Sequence, residues 1–279
     1  MADIALIGVG LVGSALAQRF RLGGLTVAGY DVRPESLQGL IPAESARKAA
    51  EQAQWIMLSL PDSNAVEGII REIEPACIGK TIIDTTTGDP ERTAALGSRL
   101  KLAGIRYADA TIAGSSQQVR EGTVIVTAGG EAEVVQDCAR FFEMFAQDWF
   151  HVGPWGSGAR IKLVINLVLG LNRAVLAEGL AFAKSVKLDL SSTLEVLRAS
   201  PAFSRVMETK GPKMIAGDFE PVARLRQHLK DVRLIQEQAR RAGQAVPFSD
   251  LHATLLAELD AQGFGDLDNS AVIKAFGSD

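Results

Sequence analysis

The feature that most restricts the fold of this 279-residue chain is Gly8-Val9-Gly10-Leu11-Val12-Gly13, set between the apolar run Ile4-Ala5-Leu6-Ile7 and a helical pattern from Leu11 to Phe20. Glycines at this spacing let a strand turn tightly into a helix. Another apolar run, Thr26-Val27-Ala28-Gly29-Tyr30, ends at Asp31, eighteen residues beyond Gly13. Strand, glycine loop, helix, strand and acid, in that order, make a βαβ unit suited to a dinucleotide. Gly8 permits the tight turn, Gly10 admits a pyrophosphate to the backbone, and Gly13 brings helix and strand together. Leu11 and Val12 open the helix, whose free N–H groups and positive dipole end favour phosphate. A glycine-rich turn with no ligand is the bland alternative, and a loop without this context would not exclude it. Asp31 can accept hydrogen bonds from the ribose 2′-OH of NAD and repels a 2′-phosphate, so NAD is the expected cofactor. Arg33, just beyond the second strand, could instead hold the 2′-phosphate, which keeps NADP open.

Strand and helix signals alternate through the first half. Trp55–Leu60, Thr81–Asp84, Arg106–Asp109 and Val124–Thr127 are short β-type runs separated by helical stretches, implying βαβ units and a mainly parallel sheet. The texture changes near Gly153-Pro154-Trp155-Gly156. A proline-free helical pattern runs from Ser157 to about Lys187, and strand signals then nearly vanish. Val222, Leu225, Leu229, Val232 and Ile235 mark one later helix, stopped at Gly243. Leu251, Leu255 and Leu259 mark another, with Ser249 as its cap and Gly263 as its end. The expected architecture is α/β: a Rossmann-type, doubly wound parallel sheet over 1–155, then an all-α domain over 156–279 that begins with a long interdomain helix.

Formal net charge is −4, and the basic residues are scattered. The densest group, Lys230, Arg233, Arg240 and Arg241, alternates with acids as a solvated helix face does. Nucleic acid and anionic membrane are therefore not expected partners. No unbroken apolar run reaches the roughly 20 residues of a membrane span, and the first strand begins too early for a signal peptide. The two cysteines, Cys77 and Cys138, lack metal or redox spacing. A cytoplasmic protein with a small-molecule substrate is expected.

Hydride transfer to a carbonyl needs an acid for the developing alkoxide. Tyr30 and Tyr107 are the only tyrosines, and neither has a lysine four residues on. His151, His228 and His252 are scattered, without metal-ligand spacing, and read as surface or helix residues. There remains Gly156-Ser-Gly-Ala-Arg-Ile-Lys162-Leu-Val-Ile-Asn166. On a helix Lys162 and Asn166 share one face a turn apart, among the apolar Ile161, Leu163, Val164 and Ile165. Burial there is costly without a polar partner or cleft, and it favours the neutral, proton-accepting amine. Spacing alone leaves a snorkelling lysine equally open.

These segments together resemble the β-hydroxyacid dehydrogenases, the 3-hydroxyisobutyrate and tartronate semialdehyde enzymes related to 6-phosphogluconate dehydrogenase. The resemblance spans nearly the whole chain. It rests on the glycine loop, Leu60-Pro61-Asp62-Ser63, Asp84-Thr-Thr-Thr87, Gly156-x-Gly-x-x-x-Lys162-x-x-x-Asn166, Leu229-Lys230-Asp231 and Gly263 to Ala271. It implies that Lys162 is the general acid/base and that Asn166 orients the substrate. Leu60, Pro61 and Thr87 would line the nicotinamide half of the cofactor site, and Lys230 would reach the cofactor from the helical domain. The implied reaction is reversible NAD(P)-linked exchange between a small 3-hydroxy acid and its semialdehyde or keto acid. The implied assembly is a homodimer or homotetramer, with the long helix as interface.

The family's substrate loop usually reads Asp-Ala-Pro-Val-Ser-Gly-Gly, whereas this chain has Asp109-Ala-Thr111-Ile-Ala113-Gly114-Ser115. Ala113 replaces the serine that helps hold the substrate carboxylate, and Ser115 adds a hydroxyl where a glycine is usual. The expected substrate-binding set, Ala113, Gly114, Ser115 and Asn166, is thus altered in ways that suit a different acid group or chain length. Ser115 could also simply supply the lost hydroxyl. The competing readings are an imine reductase, which usually lacks the motif lysine, and a catalytically silent NAD-binding protein. No metal is expected.

Overall fold

A computed structural model describes residues 1–277. In chain order the elements are β1 (Ile4–Ile7), α1 (Leu11–Leu22), β2 (Val27–Tyr30), β3 (Ile41–Pro42), α2 (Ala46–Glu51), β4 (Trp55–Leu58), α3 (Ser63–Ile73), β5 (Thr81–Asp84), α4 (Pro90–Leu102), β6 (Arg106–Ala113), α5 (Ser116–Glu121), β7 (Val124–Gly130), α6 (Ala132–Phe142) and β8 (Ala146–Gly153). The helices α7 (Ser157–Ser185), α8 (Leu190–Ala199), α9 (Arg205–Thr209), α10 (Gly211–Ala216), α11 (Leu225–Arg241) and α12 (Pro247–Ala261) follow.

The strands form one sheet in the order β3-β2-β1-β4-β5-β6-β7-β8, with every neighbouring pair parallel except β6 and β7. The chain runs outward from β1 in one direction to β3 and then in the other through β4, the doubly wound arrangement expected from the alternating pattern. Parallel strands buried on both faces need continuous apolar runs, and β1, β4 and β5 supply them. One face packs Leu6, Leu16, Phe20, Met57, Phe141 and Phe142 against α1, α5 and α6. The other packs Ile7, Ile56, Leu58, Ile70, Ile82 and Leu100 against α2, α3 and α4. Two strands are absent from the sequence reading. β3 has two residues, and β8 is an edge strand whose Gln147, Asp148 and His151 interrupt any apolar run.

Contacts divide the chain into Met1–Lys162 and Leu163–Asp279. The division falls inside α7, seven residues beyond the expected boundary at 155, because the first turn of that helix is hydrogen-bonded to β6 and β7. In the second unit Leu176, Leu180, Leu225, Leu229, Val232, Leu256 and Val272 form the core. α12 starts at Pro247, so Ser249 lies buried in its first turn and is not its cap. Proline suits that place because its missing N–H would have no intrahelical partner.

α7 differs from expectation in one further respect. Over 29 residues it is long and apolar enough, by length and composition, to cross a bilayer. The unbroken-run criterion missed this because isolated polar residues punctuate the helix. Of those residues Lys162, Asn166 and Arg173 are buried, whereas Arg160, Glu178 and Lys184 are exposed.

Candidate active site

The glycine loop is closed in the way its residues require. Gly8 has φ +92, and a Cβ there would stand 2.3 Å from the Ser59 carbonyl oxygen. A Cβ on Gly13 would meet the Gly8 carbonyl oxygen at 2.1 Å, so α1 lies directly on the turn. At Gly10 only the Arg33 guanidinium approaches, at 3.8 Å from the Cβ position. Gly10 caps α1 without a side-chain hydrogen bond, and no acid occupies the first turn. The opening N–H groups of Leu11, Val12 and Gly13 therefore point into a cradle of glycine backbone and positive charge, which fits a pyrophosphate.

Asp31 and Arg33, competing signals in the sequence, form a pair. Asp31 Oδ2 accepts from the Val9 N–H at 2.7 Å, Oδ1 accepts from the Arg33 N–H at 2.9 Å, and Arg33 Nε lies 3.4 Å from Oδ1. The acid thus braces the glycine loop while holding the arginine beside it.

Further along the same sheet edge, the loops after β4 and β5 are tied together. The Leu60 N–H donates to Thr86 Oγ1 at 3.1 Å, the Thr85 hydroxyl donates to the Leu58 carbonyl at 2.8 Å, and the Asp89 N–H donates to Ser63 Oγ at 2.8 Å. Leu60 and Pro61 sit on the first loop, half-buried and exposed, and the half-buried Thr87 sits on the second. Thr85, Thr86 and Ser63 lie in segments that carry the resemblance but were given no role in the sequence. For the threonines the signal was the unbroken Thr85-Thr86-Thr87 run, in which all but the last are buried.

Ala113 ends β6, and Gly114 and Ser115 follow it. Ser115 caps α5: its Oγ accepts from the Gln118 N–H at 3.3 Å, and its own N–H donates to Gln118 Oε1 at 2.9 Å. This reciprocal capping box takes up an oxygen lone pair but leaves the hydroxyl hydrogen free to point elsewhere. A Cβ on Gly114 would lie 2.4 Å from Val124 Cγ1, so that position is filled.

α7 carries Lys162 and Asn166 one turn apart, each 8% exposed. In the helical unit Asn166 Nδ2 donates to Asp231 Oδ2 at 2.9 Å, and Lys230 Nζ is 3.0 Å from Asp231 Oδ1. Asp231 thus joins Asn166 to Lys230, a role not assigned from the sequence. His228 and His252 are helix residues, on α11 and α12, but both are buried, with their rings 5.2 Å apart, and a Cβ at Gly170 would stand 2.5 Å from His228 Nε2. Burial, aided by Arg173, lowers His252 to about 4, so it is neutral at pH 7. Among the described residues no cluster of three or more His, Cys, Asp or Glu could hold a metal.

The glycine cradle, the Asp31 brace and the tied loops at one sheet edge define an NAD(P)-dependent oxidoreductase. Residues 3–153 match the model for the NAD binding domain of 6-phosphogluconate dehydrogenase. Residues 156–276 match the model described as NAD-binding of NADP-dependent 3-hydroxyisobutyrate dehydrogenase. The chain belongs to the β-hydroxyacid dehydrogenase family. It is 29% identical over 283 residues to the 2-(hydroxymethyl)glutarate dehydrogenase of Eubacterium barkeri, covering 98% of this chain and 94% of that protein. It is 28% identical over 282 residues to the 2-hydroxy-3-oxopropionate reductase of Escherichia coli (strain K12), covering 98% and 96%. The fold matches the solved 3-hydroxyisobutyrate dehydrogenase of Mycobacterium tuberculosis with L-serine, at a TM-score of 0.89 and 23% identity over the full length of both chains.

Proposed function

We propose that this enzyme interconverts a small 3-hydroxy acid and its semialdehyde or keto acid, with NAD preferred over NADP and Lys162 as the general acid/base. The observation that carries the proposal is the buried Lys162–Asn166 pair on α7, with the Asn166 amide held by Asp231 at 2.9 Å. When bound, the nicotinamide supplies the hydride acceptor or donor. Lys162 Nζ takes the hydroxyl proton during oxidation and returns it during reduction, so the reacting substrate oxygen never has to carry a full alkoxide charge. Asn166 cannot rotate freely, because one amide N–H is committed to Asp231. Its remaining amide atoms present a fixed donor and acceptor to the substrate. Glycine backbone and the first N–H groups of α1 hold the pyrophosphate, and Asp31 meets the ribose.

Ala113 offers no hydroxyl to the substrate acid group, and Ser115 offers one hydrogen from a different position. The acid group is therefore held in a new geometry, which selects against 3-hydroxyisobutyrate. Steady-state kcat/KM with NAD and NADP on a panel tests the whole reading. The panel holds 3-hydroxyisobutyrate, 2-(hydroxymethyl)glutarate, succinic semialdehyde, 2-hydroxy-3-oxopropionate, a sulfonate analogue and a cyclic imine. The expected outcome is NAD-linked turnover of a hydroxy acid other than 3-hydroxyisobutyrate. Preferred reduction of the imine would overturn the reaction class.

A further inference from the structure

We propose that Asp109 is a positioning residue for Lys162: its carboxylate, projecting from the middle of β6, fixes the first turn of α7 and so sets where the Lys162 amine stands. The inference rests on Lys162 being the acid/base group.

A helix leaves its first N–H groups without intrahelical partners, and a neighbouring Ser, Thr, Asp or Asn usually accepts from them. In α7 the acceptor comes from far back in the chain. Asp109 Oδ1 accepts from the Gly156 N–H at 2.9 Å, and Oδ2 accepts from the Ala159 N–H at 3.1 Å. The same turn is held at the opposite polarity. The hydroxyls of Thr111 and Thr127 donate to the Gly158 carbonyl at 3.0 and 3.3 Å. Two strands therefore grip both the N–H and the C=O groups of a single helical turn.

Glycine makes the grip tight. A Cβ on Gly158 would stand 2.5 Å from the Thr127 carbonyl oxygen and 2.7 Å from Asp109 Oδ2, and one on Gly129 would stand 2.6 Å from Asp109 Oδ1. Wedged between the two glycines, the carboxylate has no room to slide. Gly156 has φ +84, which lets the chain turn into the helix at that point. The Gly156-x-Gly158-x-x-x-Lys162 spacing thus has a physical reading: one glycine for the turn, one for the close approach, and a lysine one turn above the anchor.

The titratable groups around Asp109 are Asp84 on β5 and Tyr107 on β6, whose hydroxyl donates to Asp84 at 2.9 Å. No cation is bonded to Asp109 in any hydrogen bond or ion pair described. A carboxylate kept at 2% exposure without a paired cation is an expensive cap. Burial pushes it up to about 7, against the lowering pull of the two backbone N–H bonds. A single hydroxyl or carbonyl oxygen in that place could accept from only one of the two N–H groups at a fixed angle. The carboxyl group orients the turn, because both oxygens are committed to defined N–H vectors. Displacing a reacting group by about 1 Å costs roughly a hundredfold in rate.

The test uses the full-length enzyme with Asp109→Asn and Lys162→Met. Asparagine keeps one acceptor but sets an amide N–H against the second backbone N–H. Two readouts are taken: kcat and KM on the best panel substrate, and the pH dependence of Lys162 modification by an amine-selective acylating reagent, read by mass spectrometry without cofactor. The expected result for Asp109→Asn is kcat lower by about tenfold or more. KM and the Kd for NADH should stay within about twofold, and the Lys162 labelling profile should be displaced. Should that variant fail to fold, Thr111→Val, which keeps Asp109 but removes the hydroxyl bonded to the Gly158 carbonyl and to the Thr127 hydroxyl, should move both readouts in the same direction by a smaller factor. An unchanged kcat, or a labelling profile that superposes on wild type, overturns the positioning role. Normal turnover by Lys162→Met overturns the acid/base reading itself, whatever Asp109 does, so the two failures are separable.

Discussion

Lys162→Met keeps most of the apolar stem and removes only the amine. With the proposed proton donor gone, kcat should fall by about a hundredfold or more, while NADH binding, read by fluorescence titration, stays near wild type. At the cofactor loop the paired geometry of Asp31 and Arg33 makes a sharper prediction than either residue alone. Asp31→Asn retains an acceptor for the Val9 N–H but removes the charge that holds Arg33 at 3.4 Å. The kcat/KM ratio of NAD to NADP should therefore drop by about tenfold, the scale of one charged hydrogen bond. A wild-type preference for NADP would overturn the assignment of Asp31.

Asp109 makes a prediction about stability. Its folded-state value is raised from 3.8 to about 7, so the folded protein binds the extra proton between those limits. The stability this contributes is complete below about pH 4 and is lost as pH rises through about 7. Tm measured from pH 4 to 8 should show that decline in wild type relative to Asp109→Asn, which has no proton to lose. Lys162 and Asn166 could be singled out in the sequence because a lysine and an asparagine stand out on an apolar helix. Asp231, Asp109 and the histidine pair could not, since each acquires its role from residues tens of positions away.

Among the elements, the first turn of α7 is the least tolerant of added volume. Gly158→Ala would press a methyl against backbone at 2.5 Å, and overpacking of this kind costs about 1–3 kcal/mol. Its urea midpoint should fall accordingly, and kcat should fall with it. α5 behaves differently. Ala113→Ser with Ser115→Gly restores the family's loop residues and should raise kcat/KM on 3-hydroxyisobutyrate by about tenfold, measured against the panel's best acid. The same change deletes the Ser115 cap, costing about 1 kcal/mol or less because glycine is itself tolerated there. Helices and buried strands were readable from periodicity and apolar runs. The edge strands β3 and β8 were not, because a half-solvated strand carries polar residues that break the pattern.

On the scale of the whole molecule, the change from alternating strands and helices to helices alone was visible near Gly156. The division of contacts within α7 was not, because it depends on hydrogen bonds from β6 and β7 to one helical turn. That location determines how the protein can be taken apart. Proteases cut where several residues can be drawn out of regular structure, usually at exposed loops. Here Lys162 and Leu163 are consecutive buried residues within an intact helix. Limited trypsin digestion should therefore spare Lys162 while nicking elsewhere, which peptide mapping would show. Any attempt to express the halves separately must divide one helix, leaving the lysine on one fragment and the asparagine on the other. Genes for such a protein can be recombined with relatives only by exchanging that helix whole.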